Sequence, residues 1–498
     1  MVLSAVISVA QKAFVGLSCF LCFVVVLVLC DLFRKRHIFK FARNFKGYKF
    51  YPVIGNGYYT IGKDLFTVVE NAKKEHGLPC NLWNGHDYHY ITADASEIRV
   101  VLNHPATFDK GTFYNNFKIA FEKTILLAKY DCWKKNRKIF SKSFSQPILN
   151  GFVDVFYEKA CTLVEMLKNS RERDLYDIFC KLSLDNFCAN IMALDLNVQS
   201  ITNDRLTQLL TRLQVNVGKK LFMSYFIPPY LFLLTSVGRV IFKDFFEVRT
   251  FIYNVIKQKK RGFKNENDFR ENSNKLPLMD MMLEAEGTIF SDEEISREII
   301  LFLLAGTDTS GVTLIFTFTL LAMNPEIQEK VYQEVIRTVG LERPVSHSDL
   351  PHLKYMERVL FETMRILPVT PIIERYAESD IDLGNKIIPA GTNILISVFN
   401  LHRSEAYWKN PLEFNPDRFL PEEVAERHPY AYIPFSGGPR NCIGMKYALM
   451  MMKTTVAHVI RNYEIKSKYK SVSEFELESC VTMKTVHELD LSFVPRSC

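Results

Sequence analysis

The sequence predicts one large folded unit, built around a long buried helix and preceded by one N-terminal transmembrane helix. Two long apolar segments and an uninterrupted body lead to this prediction. With 498 residues, 48% of them hydrophobic, the chain can bury a large core, which excludes the disordered and collagenous classes. No internal repeat, low-complexity segment or long Gly/Ser tract divides the body. We therefore expect a single domain, although the length would allow several.

The first apolar segment runs from Ala13 to Cys30 and is about long enough to cross a bilayer core of roughly 30 Å as a helix. Only Lys12 precedes it. The basic residues that follow it are Arg34, Lys35, Arg36, Lys40, Arg43 and Lys46. The positive-inside rule therefore places the body in the cytosol. A cleaved secretory signal is the alternative, but the run is long for one, and basic residues stand where a cleavage site would lie.

The predicted organisation has three parts. Residues 1–30 form a luminal tail and membrane anchor, residues 31–57 a basic flank and turn-rich hinge, and residues 58–498 a single domain that carries the candidate catalytic and binding residues. The eleven cysteines are odd in number and irregularly spaced, and the net charge of +7 is modest. We expect reduced thiols, and no Cys/His spacing outside the anchor predicts a zinc finger.

The second apolar segment begins at Ser291 and Glu294, which have capping-box spacing, and ends at Pro325, which cannot continue a helix. Its centre is apolar on every face, so it is either a second membrane span or the central helix of a large core. Asp308 near its middle would be costly inside a membrane without a partner or a cavity. This charge favours the core helix.

The polar centre of this helix places an acid, Asp308, next to an alcohol, Thr309. Gly306 adds no packing and a Thr hydroxyl can compete for a backbone carbonyl, so we expect a loosened hydrogen-bond ladder with room for a small ligand or water. An acid beside an alcohol can pass protons into a dry pocket, as the reductive cleavage of bound dioxygen requires. The alternative is a capped kink without chemistry, which is the commoner reading of an isolated Asp-Thr pair.

A loop rich in glycine and proline delivers Cys442 to the start of a predicted helix near the C-terminus. At a helix N-terminus the dipole and the backbone N–H groups lower a cysteine pKa and favour the thiolate. Gly437, Gly438 and Gly444 keep the approach free of side chains, so a flat cofactor can lie against the backbone. Arg440 can reach a carboxylate on that cofactor. Without such flanks, a buried cysteine is usually an inert small hydrophobe.

Phe435, Gly438, Arg440, Cys442 and Gly444 resemble, position by position, the haem-binding signature of the cytochrome P450 superfamily. The resemblance extends over the anchor and essentially all of the body. It implies a mainly α fold with small β-sheets, the cytochrome P450 fold. It also implies a haem b cofactor whose iron has Cys442 as its axial ligand.

Three further motifs match the superfamily. Glu362 and Arg365 match its E-x-x-R pair, whose spacing puts both on one side of a helix, and Arg418 in "FNPDRF" matches the arginine that completes a buried charge network with them. Loss of one partner would strand a buried charge, at a cost of about 3 to 5 kcal/mol. The residues that match contacts to the haem propionates are Trp133, Arg137 and Arg375.

The string "AGTDTS" in the long helix matches the superfamily's oxygen-activation motif, which implies that Asp308 and Thr309 are the catalytic proton-delivery pair. "HLKYMERVLFETMRILP" looks most like the branch that contains the fatty-acid ω-hydroxylases and many insect enzymes. Several ω-hydroxylases of that branch have a glutamate bonded covalently to the haem where this chain has Ala305. The resemblance therefore implies a non-covalent haem and argues against strictly terminal hydroxylation.

The activity that the resemblance implies is insertion of one oxygen atom of O2 into a lipophilic small molecule: a fatty acid, a hormone-like lipid or a xenobiotic. Electrons would come from NADPH through NADPH-cytochrome P450 reductase, with cytochrome b5 as a second candidate donor and no nucleic-acid partner. The expected location is the endoplasmic reticulum membrane, with a single span and a cytosolic catalytic domain.

Three surfaces follow from the same resemblance. The expected substrate-pocket residues are Phe113, Phe117, Phe302, Ala305, Val369, Ile373 and Met483. A basic docking face for an acidic electron donor is expected at Lys134, Lys135, Lys138, Lys142 and Lys446. Residues 221–234 are apolar but broken by prolines, so they form either a core segment or a second membrane contact at a substrate entrance.

Two alternatives to the monooxygenase stay open at this point. One is a haem-thiolate isomerase or dehydratase that needs no reductase. The other is a haem sensor or binding protein, or a silent membrane protein, without turnover. The complete acid-alcohol pair at Asp308 and Thr309 favours dioxygen chemistry, because members that rearrange peroxides often lack it.

Overall fold

The computed structural model describes residues 2–168, 174–201, 204–223, 232, 234–262, 277–284, 289–479 and 481–496. Helices dominate these residues. In chain order they are α1 (Val2–Arg34), α2 (Arg36–Ala42), α3 (Leu65–His76), α4 (Ala95–Asn103), α5 (Lys118–Phe121), α6 (Tyr130–Phe140), α7 (Gln146–Gly151), α8 (Val153–Leu167), α9 (Leu175–Ile191), α10 (Arg205–Met223), α11 (Ser236–Gly262), α12 (Leu278–Glu284), α13 (Asp292–Met323), α14 (Pro325–Thr338), α15 (Lys354–Ile366), α16 (Val398–Leu401), α17 (Pro421–Glu426) and α18 (Met445–Asn462).

The strands are few and short. They are β1 (Cys80–Asn84), β2 (Asp87–Thr92), β3 (Ile372–Tyr376), β4 (Ile381–Asp382), β5 (Ile387–Ile388), β6 (Asn393–Ser397), β7 (Tyr463–Ser467), β8 (Leu477–Ser479), β9 (Met483–Thr485) and β10 (Leu491–Pro495). One sheet has the order β1-β2-β6-β3, with β2 and β6 parallel and the other pairs antiparallel. The remaining described pairs are β7 with β10, β4 with β5, and β8 with β9. The prediction of a mainly α fold with small sheets is confirmed.

Helix α13 is the central element of the largest apolar core. Ser291 and Glu294 form the predicted capping box at its start. Its most apolar window is 78% buried within the protein, so it is a core helix and not a second membrane span. A Cβ on Gly311 would lie 3.1 Å from the backbone of Phe179, so this glycine allows α9 to approach α13 closely.

The expected loosening of α13 at its polar centre is wrong. The helix continues without a break from residue 292 to residue 323. The Thr309 hydroxyl donates to the Ala305 carbonyl at 2.7 Å, and the Thr313 hydroxyl donates to the Thr309 carbonyl at 2.7 Å. These bonds run parallel to the helical ladder, so they satisfy the hydroxyl groups without displacing a backbone N–H.

The N-terminal helix α1 contains the predicted membrane anchor. Its segment Phe14–Arg34 is long and apolar enough to cross a membrane, and it is unburied within the protein. The chain then joins the body, because Ile38 and Phe41 of α2 pack in one apolar cluster with Trp83 and Tyr90 of the four-stranded sheet. The domain boundary at residue 58 stays a prediction.

Candidate active site

A cavity of about 360 Å³ lies between α13 and the loop that carries Cys442. Its floor is formed by residues 433–444 and the start of α18, and its roof by the middle of α13. The apolar side chains of its walls include Ile125, Leu126, Phe144, Phe187, Ile191, Leu301, Phe302, Val369, Ile373 and Ile433. Such a lining suits a flat apolar group with a lipophilic molecule above it.

The backbone of the Cys442 loop depends on the glycines at its close contacts. The Cys442 N–H donates to the Phe435 carbonyl at 2.9 Å and closes the loop on itself. Gly438 has a φ of +67°, and a Cβ there would lie 2.0 Å from the Leu102 carbonyl oxygen. At Gly444 a Cβ would lie 3.9 Å from the Cys442 sulfur. The signature therefore fixes one loop shape with the sulfur directed to the cavity.

The predicted lowering of the Cys442 pKa is wrong for the protein alone. Burial raises the pKa of the thiol above its ordinary value. Hydrogen bonds from the backbone N–H groups of Gly444 and Met445 and the positive charge of Arg137 oppose this rise. The helix terminus therefore acts in the expected direction but is outweighed. A metal ion at the sulfur would deprotonate it outright.

Helix α6 is joined to the Cys442 loop by two aligned side chains. Arg137 donates from Nη1 to the Asn441 carbonyl at 2.9 Å and from Nη2 to Asn441 Oδ1 at 2.8 Å. The Arg440 guanidinium lies 4.7 Å from the centre of the Trp133 ring. The spacing of Trp133 and Arg137, one helical turn apart, lets both line the cavity.

Among the residues that the structure describes, three cations share one end of the cavity with too few anions to balance them. Lys110 and Arg440 line it, and Arg375 lies next to both and donates to the Oγ of the lining residue Ser436 at 3.3 Å. Arg440 donates to the Ala128 carbonyl at 2.6 Å and pairs with Asp109 at 3.4 Å, but its buried Nε and Nη1 have no partner in the described part of the chain. Buried donors without partners are rare and carry a substantial free-energy penalty. Carboxylates of a bound group would satisfy them.

The pKa shifts at this end of the cavity have the same cause. Burial lowers the pKa of Arg440 to about 10; nearby Asp109 opposes the shift and Arg375 adds to it. Burial also lowers the pKa of Lys110 well below its ordinary value, and Arg375 and Arg440 contribute. Sequence reasoning missed Lys110, since a lysine between Asp109 and Gly111 belongs to no motif and its role depends on three-dimensional position. The described residues thus fit a flat apolar group that carries carboxylates, as haem does.

The structure separates the predicted acid-alcohol pair. Thr309 lines the cavity, as does Ala305 one turn before it. Asp308 is 1% exposed and points to the opposite side of α13, where Tyr176 and Thr482 donate hydrogen bonds to it. Consecutive residues of a helix point about 100° apart, so Asp308 cannot face the cavity in the same direction as Thr309.

The predicted charge network lies beneath the floor of the cavity. Arg365 donates from Nε and Nη2 to the two carboxylate oxygens of Glu362, at 2.6 and 2.8 Å. The Nε of Arg418 lies 3.3 Å from Glu362 Oε1. Arg365 also donates to the His402 carbonyl at 2.9 Å. All the charges are therefore paired, and the network ties α15 to the segments that lead to the Cys442 loop.

Four of the seven expected pocket residues line the cavity: Phe302, Ala305, Val369 and Ile373. Phe113, Phe117 and Met483 do not line it, and their place in the substrate pocket stays a prediction. In the tight 3₁₀ turn of residues 112–117, successive side chains diverge, and Tyr114 is the residue that reaches the cavity. Met483 is fully buried behind the wall, and its N–H donates to the Val369 carbonyl at 2.8 Å.

Two further predicted surfaces are the basic docking face and the apolar segment 221–234. All five lysines of the expected docking face are exposed, and three of them lie on α6 beside the Cys442 loop. Most of the apolar segment 221–234, including Pro228 and Pro229, lies outside the described residues.

Comparison with known proteins gives a consistent result. The family model for cytochrome P450 matches residues 46–489. Cytochrome P450 4d1 of Drosophila melanogaster is 30% identical over 441 residues, which cover 83% of this chain and 86% of the relative. Cytochrome P450 4V2 of Rattus norvegicus is 30% identical over 456 residues, 86% of this chain and 87% of the relative. Cytochrome P450 4c21 of Blattella germanica is 31% identical over 445 residues, which cover 86% of this chain and 89% of the relative.

Proposed function

Since this chain belongs to the cytochrome P450 family and is a haem-thiolate monooxygenase of that family, we propose that it oxygenates a lipophilic small molecule with electrons from NADPH. The balanced reaction converts C–H, O2, two electrons and two protons into C–OH and water. The observation that carries the proposal is one cavity that has Cys442 on its floor, Thr309 in its roof and partnerless buried donors at one end.

We assign the haem contacts to residues of the floor and of the cationic end. Cys442 would ligate the haem iron from a loop shaped by Phe435, Gly438 and Gly444. Arg440 and Arg375, with Lys110 beside them, would hold the propionates. Arg137 and Trp133 would contact the cofactor from α6. When bound, the haem supplies oxygen activation, which its thiolate ligand favours by pushing electron density toward the O–O bond.

The residues of this chain contribute substrate position and proton supply. Apolar side chains above the floor exclude bulk water and hold a C–H bond near the haem face. The Thr309 hydroxyl, anchored on the Ala305 carbonyl, is the group placed to hold a water or pass a proton at the cavity roof. Asp308 supplies protons to Thr309 from the other side of α13.

The substrate class follows from the lining. The side chains above the floor are mostly aliphatic and aromatic, which favours a fatty acid, a hormone-like lipid or an apolar xenobiotic. Ala305 carries no carboxylate, so the haem is held non-covalently, as haem b. Without a covalent bond from position 305 to the haem, the end of the substrate chain is not held at one fixed position. This argues against strictly terminal hydroxylation.

The partners and location are part of the proposal. Enzymes of this family use redox partners, and here we propose NADPH-cytochrome P450 reductase, with cytochrome b5 as an additional donor. The exposed lysines of α6 support docking of an acidic surface, and the steering should weaken as salt rises. The Phe14–Arg34 segment anchors the protein in the endoplasmic reticulum membrane, with the catalytic domain in the cytosol.

The test is a reconstituted assay with purified full-length protein, reductase and NADPH, using a panel of fatty acids, isoprenoid lipids and apolar xenobiotics under ¹⁸O2. The expected product carries one ¹⁸O atom and requires NADPH. Conversion of a hydroperoxide or endoperoxide in the absence of NADPH and reductase, with no ¹⁸O product from any substrate, would instead establish the isomerase or dehydratase alternative.

A further inference from the structure

A second recess of about 590 Å³ lies on the side of α13 that faces away from the cavity. Its walls include Tyr176 of α9, Val312 and Phe316 of α13, and Lys484 of β9. Asp308 lies behind Tyr176 and Lys484 and is nearly inaccessible. Because Thr309 is the next residue and faces the cavity, helix α13 lies between the two spaces.

The side chains around Asp308 form a chain of donors directed inward from the recess. The Lys484 ammonium donates to the Tyr176 hydroxyl, and that hydroxyl donates to Asp308 Oδ1. Lys484 Nζ also lies 3.2 Å from Asp308 Oδ1 and 3.9 Å from the centre of the Tyr176 ring. The Thr482 hydroxyl donates to the other oxygen, Oδ2. The thiol of Cys180, on α9, is another titratable group near the Asp308 carboxylate.

The charges decide what this arrangement does. A carboxylate buried to this degree would become protonated without an opposite charge, since burial disfavours its ionised form. Lys484 is the cation paired with it, and its side chain is 17% exposed at the recess. Burial raises the pKa of Tyr176, so its hydroxyl stays a donor. Lys484 and Tyr176 therefore connect Asp308 to the water of the recess.

We propose that Lys484 and Tyr176 are positioning residues that keep Asp308 ionised and make the recess the entrance for the protons used in turnover. The second claim, that the recess is the proton entrance, rests on the proposed function. The ionised Asp308 first accepts a proton from the Tyr176 hydroxyl, which takes one from Lys484. Asp308 then passes its proton toward Thr309 and is ionised again, while water in the recess reprotonates the lysine. No electron moves, and each group ends as it began.

The position of Lys484 depends on the cavity wall. Met483, its neighbour in β9, donates its N–H to the Val369 carbonyl at 2.8 Å, and Val369 lines the cavity. Thr482 and Lys484, on either side of Met483, both contact Asp308. A bulky group that displaces Val369 would therefore also move the partners of Asp308.

The first experiment needs no turnover. Infrared difference spectra at neutral pH, with Asp308→Asn to assign the band, should show no protonated carboxyl at position 308 in the native protein. Lys484→Met, which removes the charge but keeps the length, should produce that C=O band, and Lys484→Arg should not. Lys466→Met is the control, because Lys466 is an exposed lysine on β7 that pairs with Glu464 at 3.4 Å. An unchanged infrared spectrum in Lys484→Met would overturn the inference.

The second experiment measures coupling in the reconstituted enzyme. Lys484→Met and Tyr176→Phe should lower the ratio of product to NADPH consumed by about 10-fold or more, in the range that proton-transfer groups contribute. Lys484→Arg should restore the ratio to within about 2-fold. Adding Lys484→Met to Asp308→Asn should cause no further loss. Wild-type coupling in Lys484→Met, or additive losses in the double variant, would contradict the proton entrance.

The two claims fail separately. If the wild-type protein forms no NADPH-dependent product from the whole panel, the proposed function is wrong and the proton entrance falls with it. The infrared band still decides whether Lys484 keeps Asp308 ionised.

Discussion

Arg137 holds Asn441, the residue immediately before Cys442, through two parallel hydrogen bonds of 2.9 and 2.8 Å. One bond goes to the backbone carbonyl and the other to the side-chain amide oxygen, so the guanidinium fixes both the position and the orientation of Asn441. Helix α6 thereby limits the movement of the loop that presents the Cys442 sulfur. A planar fork does this better than a point charge.

Replacement of Arg137 by lysine should weaken haem retention, because an ammonium group cannot make both bonds in one geometry. Hydrogen bonds to charged groups contribute about 1.5 to 3 kcal/mol, so we expect haem to dissociate at least 10-fold faster. Transfer of haem to excess apomyoglobin measures this rate. Lys138→Met, at an exposed position of the same helix, is the control. Equal rates for Arg137→Lys and wild type would contradict this role.

Replacement of Glu362 by alanine should destabilise the folded protein by about 3 to 5 kcal/mol, because Arg365 would remain buried without its carboxylate partner. The apparent free energy of unfolding in urea, measured on the haem-loaded protein, reports this loss. The matched control is Glu423→Ala, which removes an exposed carboxylate in α17. Similar unfolding midpoints for the two variants would show that the network has no stabilising role.

His402 should make stability fall as the pH decreases from about 6.5 toward 3. Burial and the charge of Arg365 lower its pKa to about 3, and the neutral ring accepts a hydrogen bond from the Ile433 N–H at 2.8 Å. Below about pH 6.5 the unfolded chain binds a proton that the folded state does not, so the folded state loses about 2 kcal/mol between pH 7 and pH 5.

The corresponding measurement is the free energy of unfolding at pH 7 and pH 5 for wild type and His402→Gln. The variant should lack this part of the pH dependence. Replacement of the exposed His347 by glutamine should leave the dependence unchanged. His458, whose pKa burial lowers to about 4, adds a shift of the same sign, which cancels because both proteins contain it. Identical pH dependence in wild type and His402→Gln would refute the assignment.

Replacement of Gly438 by alanine should abolish haem incorporation. Its added Cβ would overlap the Leu102 carbonyl oxygen, and the φ of +67° is strained for any L side chain. Gly151→Ala is the control, since a Cβ there meets nothing within 4 Å. The haem-to-protein ratio after purification is the measurement, and a normal ratio in Gly438→Ala would contradict the loop account.

Those parts of the site that depend on backbone shape and fixed spacing were predictable from sequence. Gly438 and the Glu362–Arg365 pair belong to this group, because a positive φ and a three-residue helical separation each restrict the residues that can occupy a position. The capping box at Ser291 is similarly local. The mainly α fold followed from the family resemblance that these positions carry.

The errors arose where the answer depends on packing between distant segments. Lys110 reaches Arg375 and Arg440 only in the folded chain, and no local pattern marks it. Asp308 was expected at the cavity with Thr309, although the 100° rotation between neighbouring helix residues already argued against it. The direction of the Cys442 pKa shift depended on the depth of burial, which the sequence does not give.

The central claim is that Cys442 ligates the haem iron as a thiolate. Its most direct test compares the absorption spectra of the reduced carbon monoxide complexes of wild type and Cys442→His, after both have been loaded with haem. The wild-type protein should show the red-shifted Soret band of a thiolate complex, and Cys442→His should show the band of an imidazole complex, as in globins. A thiolate-type band that persists in Cys442→His would contradict the account.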